Sequence, residues 1–263
     1  GLFIYSVTTP GFKDSLVFLF YPDFKMLTPS GVLEAVGHSF FTLSLGMGAI
    51  MTYGSYLKKS EDLIKTAFYI GLADTIIALM AGIVIFSIVF TYGLEPSSGP
   101  KLMFETLPTL FSKDAAGNVL AMSFFGLVLF AALTSSVSLL QVVVSYFEEN
   151  SNLSKTAITL LSAFSIFCLG ILSALSTNLL SDFYVVEGLT FFDFFDKLSS
   201  HYLLPLGGLL MAVFFGWKLD AEEIKKIFLD HPKTKLYFFV LIWSNRILAP
   251  LAILIMTINS IFS

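Results

Sequence analysis

The stretch AVGHSFFTLSLGMGAIMTYGSYL, Ala35–Leu57, decides how the rest of the chain is understood. Its 23 residues include no Asp, Glu, Lys or Arg. A helix needs about 20 apolar residues to cross a hydrocarbon core, so this stretch can span one. Its middle is wrong for an unbroken span. Thr42, Ser44, Gly46 and Gly48 fall together at a depth where lipid offers no hydrogen-bond partner. Glycine is about 1 kcal/mol worse than alanine inside a helix. Two glycines beside two hydroxyls predict a helix that breaks at mid-membrane. Broken backbone at that depth is tolerated only where it is buried in protein or lines a cavity. The break is therefore a candidate binding site.

The surrounding chain is made for the same solvent. It is 56% hydrophobic and only 13% charged, where a soluble domain carries about 25% charged residues. Its mean hydropathy is +0.84. The apolar runs are longer than barrel strands and lack their period-two alternation. The expected fold class is an all-α, polytopic membrane protein. The single cysteine, Cys168, excludes an internal disulfide and a cysteine-based metal centre, and reads as a small hydrophobe in a helix.

Six spans are expected, at about 32–57, 63–92, 115–147, 156–176, 198–217 and 236–262. Between them, Gly11–Gly31 reads as a polar loop and Glu148–Ser154 as a turn. Asp182, Glu187, Asp193 and Asp196 mark an acidic loop. Gly93–Asp114 reads as a long loop with an amphipathic piece, Leu102–Phe111, suited to a lid or vestibule. The run 115–147 is charge-free over 33 residues, so as a helix it would tilt or project beyond the bilayer. The opening GLFIYSVTTPG reads as the tail of a helix that starts upstream, so a longer protein is expected. The loops 58–65, 148–155 and 218–235 hold nine lysines, and the opposite side holds five. That bias places the first group in the cytoplasm.

Asp74 is the acid inside a span. Burying it costs about 2.5–3.5 kcal/mol on insertion scales, and such acids mark ion or proton pathways. It lies about eleven residues, or ~16 Å of helix, from the start of its span. That is too deep for a helix-end acid in interfacial water. Thr134-Ser135-Ser136 lies in the middle of the charge-free run, where hydroxyls commonly serve as packing contacts between helices. Thr42, Ser44, Asp74, Thr134 and Ser135 share one depth, and hydroxyl, carboxylate and freed carbonyl oxygens suit a hard monovalent cation. No His/Cys pattern suits a transition metal. A His, an aromatic or a Met in a span, as at His38, Phe41 and Met47, is more often packing than ligand. Asp196 reads as a loop-end acid, and Arg246 as a partner for a nearby carbonyl or a lipid phosphate.

HSFFTLSLGMGAIMTYGSYL (38–57) with the following KKSEDL, GLADTIIALMAG (71–82) and FAALTSSVSLLQ (130–141) together resemble the neurotransmitter:sodium symporter family, in its bacterial amino-acid branch. The resemblance covers the whole chain. It implies the end of a fifth helix through an eleventh, as one C-terminal part of a single transporter domain. This is the second inverted repeat plus last helix of a leucine-transporter-type fold, with one discontinuous transmembrane helix. The first five helices would lie outside the chain, and the chain would need them to function.

The resemblance also implies roles. Phe41 matches the aromatic lid over the substrate. Thr42 and Ser44 match positions whose freed oxygens hold the first sodium and the substrate ammonium. Met47, Ser135 and Leu139 line the substrate pocket. Asp74 matches a ligand of the first sodium, while Ala131 (through its carbonyl), Thr134 and Ser135 match the second site. Phe41, His38 and Asp196 match the gate. Two sodium ions are implied. Ala78 stands where chloride-dependent members carry Ser, and Asp74 one turn away already supplies a negative charge, so no chloride requirement is expected. Met47 stands where a relative carries Phe, and a slimmer, adaptable thioether suits larger hydrophobic or aromatic amino acids. The family mechanism is alternating access around broken helices whose ends face the substrate and ions. The expected function is sodium-coupled symport of such L-amino acids in the inner (plasma) membrane, with no enzyme activity and no nucleic-acid partner. A homodimer is compatible with it. The alternatives are a non-transporting amino-acid sensor and a channel-like protein on the same fold.

Overall fold

A computed structural model describes residues 1–57, 62–96, 99, 102–114, 116–176, 178–186, 188–220, 224 and 234–262. The lysine-bearing stretches 58–61 and 225–233 lie outside the described residues, as do Ser97, Ser98, Pro100, Lys101 and Glu187. Helices α1 (Leu2–Val7), α2 (Phe12–Phe20), α3 (Pro29–Thr42), α4 (Ala49–Ser55) and α5 (Leu63–Thr91) come first. They are followed by α6 (Leu102–Phe111), α7 (Gly117–Asn150), α8 (Lys155–Leu175), α9 (Phe191–Lys218) and α10 (234–262). Five stretches among the described residues are long and apolar enough to cross a membrane: α5, α7, α8, α9 and Phe239–Ile258 of α10. The interrupted pair α3 and α4 holds the sixth expected crossing.

The chain divides into two compact units. Gly1–Leu27 and Ile64–Ser136 form the first. Its core joins Val84, Ile88 and Val89 of α5 to Leu107, Leu110 and Phe111 of α6 and to Leu120 and Phe124 of α7. The 102–111 piece is thus part of this core, because its apolar face finds partners on both long helices. The stretch Gly11–Gly31 is also not all loop, since it contains α2. Phe18 of α2 packs edge-on against Phe86 at 4.8 Å and Phe90 at 5.7 Å between centroids. Below them the buried hydroxyls of Ser15 and Ser87 bond each other at 2.9 Å. The polar look of the segment hid an apolar face with a complementary partner.

Thr28–Leu63 and Val137–Ser263 form the second unit. Here α7 continues through Glu148–Asn150, where the charges suggest a turn. The Asn150 amide donates to the Tyr146 carbonyl at 2.8 Å and the Ser151 hydroxyl to the Phe147 carbonyl at 2.7 Å, so side chains satisfy two terminal carbonyls. Ser154 then caps α8, accepting from the Ala157 N–H. Helix α9 starts seven residues before the expected 198, at Phe191. Thr190 and Asp193 form a reciprocal capping box there, which satisfies two orphan N–H groups. Asp193 is therefore a helix starter and not a free loop acid. Leu204, Pro205, Gly208 and Ala212 of α9 are buried, as are Ile253 and Met256 of α10. Most large apolar residues of α7 and α8 are exposed, as lipid permits.

Candidate functional site

The break in the first crossing is built by the backbone. Helix α3 closes in a Schellman arrangement. The Leu45 N–H reaches back to the Phe40 carbonyl at 2.8 Å and the Ser44 N–H to the Phe41 carbonyl at 3.0 Å. The residue at the left-handed position of this motif is Ser44, with φ of 53°, where glycine is usual. Gly46 and Gly48 follow with φ of 82° and 83°, and α4 begins directly after. Among the described residues, the carbonyls of Thr42, Leu43 and Ser44 accept no backbone hydrogen bond. The break thus frees oxygens at Thr42 and Ser44, at the C-terminal, negative end of α3. Phe41 and Thr42 are exposed, and Ser44 and Met47 half-buried.

Glycines of α9 receive this segment. A Cβ on Gly46 would fall against the Leu204 carbonyl oxygen and close to the Gly208 N–H, and a Cβ on Gly207 would fall on the Gly46 carbonyl oxygen. A Cβ on Gly208 would come within 2.7 Å of Phe40 Cε1. The two backbones touch because neither side carries a side chain there. These partners, Phe40, Gly207 and Gly208, are absent from the expected site. Their signal is the Gly-Gly pair in an apolar span, the composition that lets backbones approach closely.

Beyond the break, α4 is joined to the second half of α7 by hydroxyls. Tyr53 donates to Ser138 Oγ at 2.5 Å, and Gln141 Nε2 donates to Tyr56 Oη at 3.0 Å and to Ser145 Oγ at 3.0 Å. Ser138, Gln141 and Ser145 recur at helical spacing on one face. A Cβ on Gly48 would sit 3.0 Å from Val142 Cγ1, one turn beyond Leu139. Leu139 and the break therefore belong to one neighbourhood of the second unit.

The remaining expected ion ligands lie in the first unit. Asp74 is half-buried in α5. On α7 the Thr134 hydroxyl donates to the Ala131 carbonyl at 2.9 Å, so two of the expected oxygens are already adjacent. Ser135 follows, exposed like them. His38 is exposed on α3, one turn before Phe41 and Thr42. Asp196 is exposed near the start of α9 and accepts from Ser200 Oγ at 3.2 Å. Arg246 donates through Nε to the Gly216 carbonyl at 2.5 Å, and its guanidinium carbon lies 5.9 Å from the centre of the Trp217 ring. Its partner is the carbonyl of buried Gly216, which lies within a wider turn of α9 over 214–218.

A profile of the Sodium:neurotransmitter symporter family matches residues 1–263. An uncharacterized sodium-dependent transporter of Haemophilus influenzae is 38% identical, the match covering 100% of this chain and 57% of that protein. One from Bacillus subtilis is 35% identical over 99% of this chain and 58% of its own length. The crystal structure of MhsT in complex with L-phenylalanine matches with a TM-score of 0.87 at 41% identity, over 98% of this chain and 58% of that one. The chain thus spans under two thirds of these relatives.

Proposed function

Because the chain belongs to the sodium:neurotransmitter symporter family, we propose that the whole protein carries hydrophobic or aromatic L-amino acids across the plasma membrane together with sodium. The observation that carries this is the break at 43–48, which leaves the Thr42 and Ser44 carbonyls free at the end of α3. Freed carbonyls beside hydroxyls replace the water around a sodium ion or an ammonium group. Thr42 and Asp74 bind the first sodium, and the carboxylate supplies its countercharge. Ala131, Thr134 and Ser135 bind the second. Ser44 holds the substrate ammonium, with Phe41, Met47, Ser135 and Leu139 around the side chain. Sodium favours the outward-open state because it binds that state better, which is all a ligand can do to an equilibrium. Substrate then closes Phe41 and the gate residues His38 and Asp196. The 263 residues alone do not transport, since in this family a second broken helix completes the sites.

The preference for large apolar substrates rests on Met47, and agrees with the L-phenylalanine named in the MhsT complex. The test is uptake of labelled L-phenylalanine into proteoliposomes holding the full-length protein, with sodium or potassium outside. Sodium-dependent, electrogenic uptake is expected, competed by tryptophan, tyrosine and leucine more strongly than by alanine. Uptake indifferent to sodium, or binding without uptake, would overturn the proposal.

A further inference from the structure

Three features converge on α9, away from every ligand position named above. The Gly46 carbonyl occupies the space a Cβ on Gly207 would need. Gly208 leaves room for the ring of Phe40, in the last turn of α3. Gly208 itself is buried, with Ile253 Cδ1 of α10 at 3.6 Å from its Cβ position and Ile253 only 1% exposed. The unwound segment therefore rests on a crowded surface: the Phe40 ring and Ile253 Cδ1 both stand around the position a Cβ on Gly208 would take. The Schellman bonds tie Ser44 and Leu45 to the last turn of α3, but among the described residues the N–H groups of Gly46, Met47 and Gly48 donate no backbone hydrogen bond. Packing from outside the run must therefore hold its second half.

We propose that Gly207 and Gly208 are positioning residues, a flat glycine platform on α9 that fixes the unwound segment 43–48 and, through Phe40, the orientation of Phe41 and Thr42. Neither glycine touches substrate or ion; each acts through Gly46 or Phe40. A methyl on Gly208 turns the Phe40 ring and rotates the last turn of α3. A methyl on Gly207 pushes the Gly46 carbonyl directly, and no single side-chain truncation relieves that. The link from platform to substrate and sodium affinity rests on the symport function proposed above; the link from platform to backbone position does not.

The experiment uses the full-length protein and two readouts. Hydrogen exchange over peptides covering 43–48 reports the segment itself. Binding of labelled L-phenylalanine, titrated against sodium, reports the site. Gly208→Ala is expected to speed exchange at 43–48 and to raise the L-phenylalanine Kd and the half-saturating sodium concentration about tenfold or more, since displacements near 1 Å can cost about a hundredfold. Adding Phe40→Leu should restore both readouts, while the same change should leave Gly207→Ala impaired. Gly170→Ala, on α8 where a Cβ meets nothing within 4 Å, should change neither. Unchanged exchange in both α9 variants overturns the proposal, as does failure of Phe40→Leu to rescue Gly208→Ala. Faster exchange with unaltered binding overturns the functional half. If the wild type binds no hydrophobic amino acid, the symport proposal fails, and the exchange arm still decides whether the platform positions the segment.

Discussion

The Tyr5 hydroxyl donates to Asp114 Oδ2 at 2.5 Å, tying the first helix to the turn before α7. Asp114 also accepts from the Ala116 N–H at 2.8 Å and from Tyr92 at 3.5 Å. These bonds, the one from Tyr5 foremost, hold its carboxyl below the ordinary 3.8. A lowered folded-state pKa contributes stability that is present above the unfolded value and lost as pH falls through the folded one. Asp114→Asn should therefore lower the melting temperature near neutral pH and flatten its decline between about pH 5 and about pH 3. Tyr5→Phe should cost about 1–2 kcal/mol. An acid decline as steep in Asp114→Asn as in the wild type would refute the assignment.

Ser44 holds a left-handed conformation that costs an L-residue roughly 1–2 kcal/mol. Replacing it by glycine removes that cost and adds about 0.4–1 kcal/mol of unfolded-chain entropy. Ser44→Gly should thus be more stable by about 0.5–1 kcal/mol. Since the carbonyl remains, L-phenylalanine binding should persist. Thermal unfolding with a binding assay reads both, and a destabilised variant would mean the serine hydroxyl has a role beyond its backbone.

If the sodium sites are as proposed, Asp74→Asn keeps a side-chain oxygen at the first and replaces a carboxylate by an amide, whereas Thr134→Ala removes an oxygen from the second. Each should raise the sodium concentration for half-maximal binding about tenfold, a loss near 1.4 kcal/mol. The first should act through one site and the second through the other, so their effects should add when combined. Sodium titration of substrate binding checks this.

The Arg246 contact with Gly216 and Trp217 depends on a planar guanidinium. Lysine cannot reproduce its Nε geometry or stacking. Arg246→Lys should cost about 1–3 kcal/mol from the charged hydrogen bond and the ring contact. Gly216→Ala should do comparable harm, because its Cβ would lie 3.0 Å from Arg246 Cγ and backbone N. Melting temperatures equal to the wild type in both variants would remove the joint from the account.

If the full-length protein is the proposed symporter, its uptake should survive replacement of chloride by gluconate, since Asp74 brings a carboxyl group one turn from Ala78. Uptake lost in gluconate would place an anion requirement in the cycle.

The break was legible in the sequence because Gly46 and Gly48 stand beside the hydroxyls of Thr42 and Ser44 in mid-span, and the long crossings because their composition fits lipid. Helix edges were less legible. Asp193 has the same charge whether it caps α9 or lies in a loop, and only the Thr190 partner distinguishes the two. Helix α2 was missed because Lys13 and Asp14 mask a face whose Phe18 and Ser15 have partners more than sixty residues away in α5. The platform at Gly207 and Gly208 was invisible for a related reason. A glycine pair announces that something approaches closely without saying what.

The seam between α4 and α7 is made of Tyr53, Tyr56, Ser138, Gln141 and Ser145, every one ending in a group that water can replace. An interlocked apolar seam opens only by exposing a void. This one can exchange each protein partner for a water molecule at little enthalpic loss. Hydration would therefore act as its key: α4 would part from this face of α7 where water reaches the seam, and reseal when it is expelled.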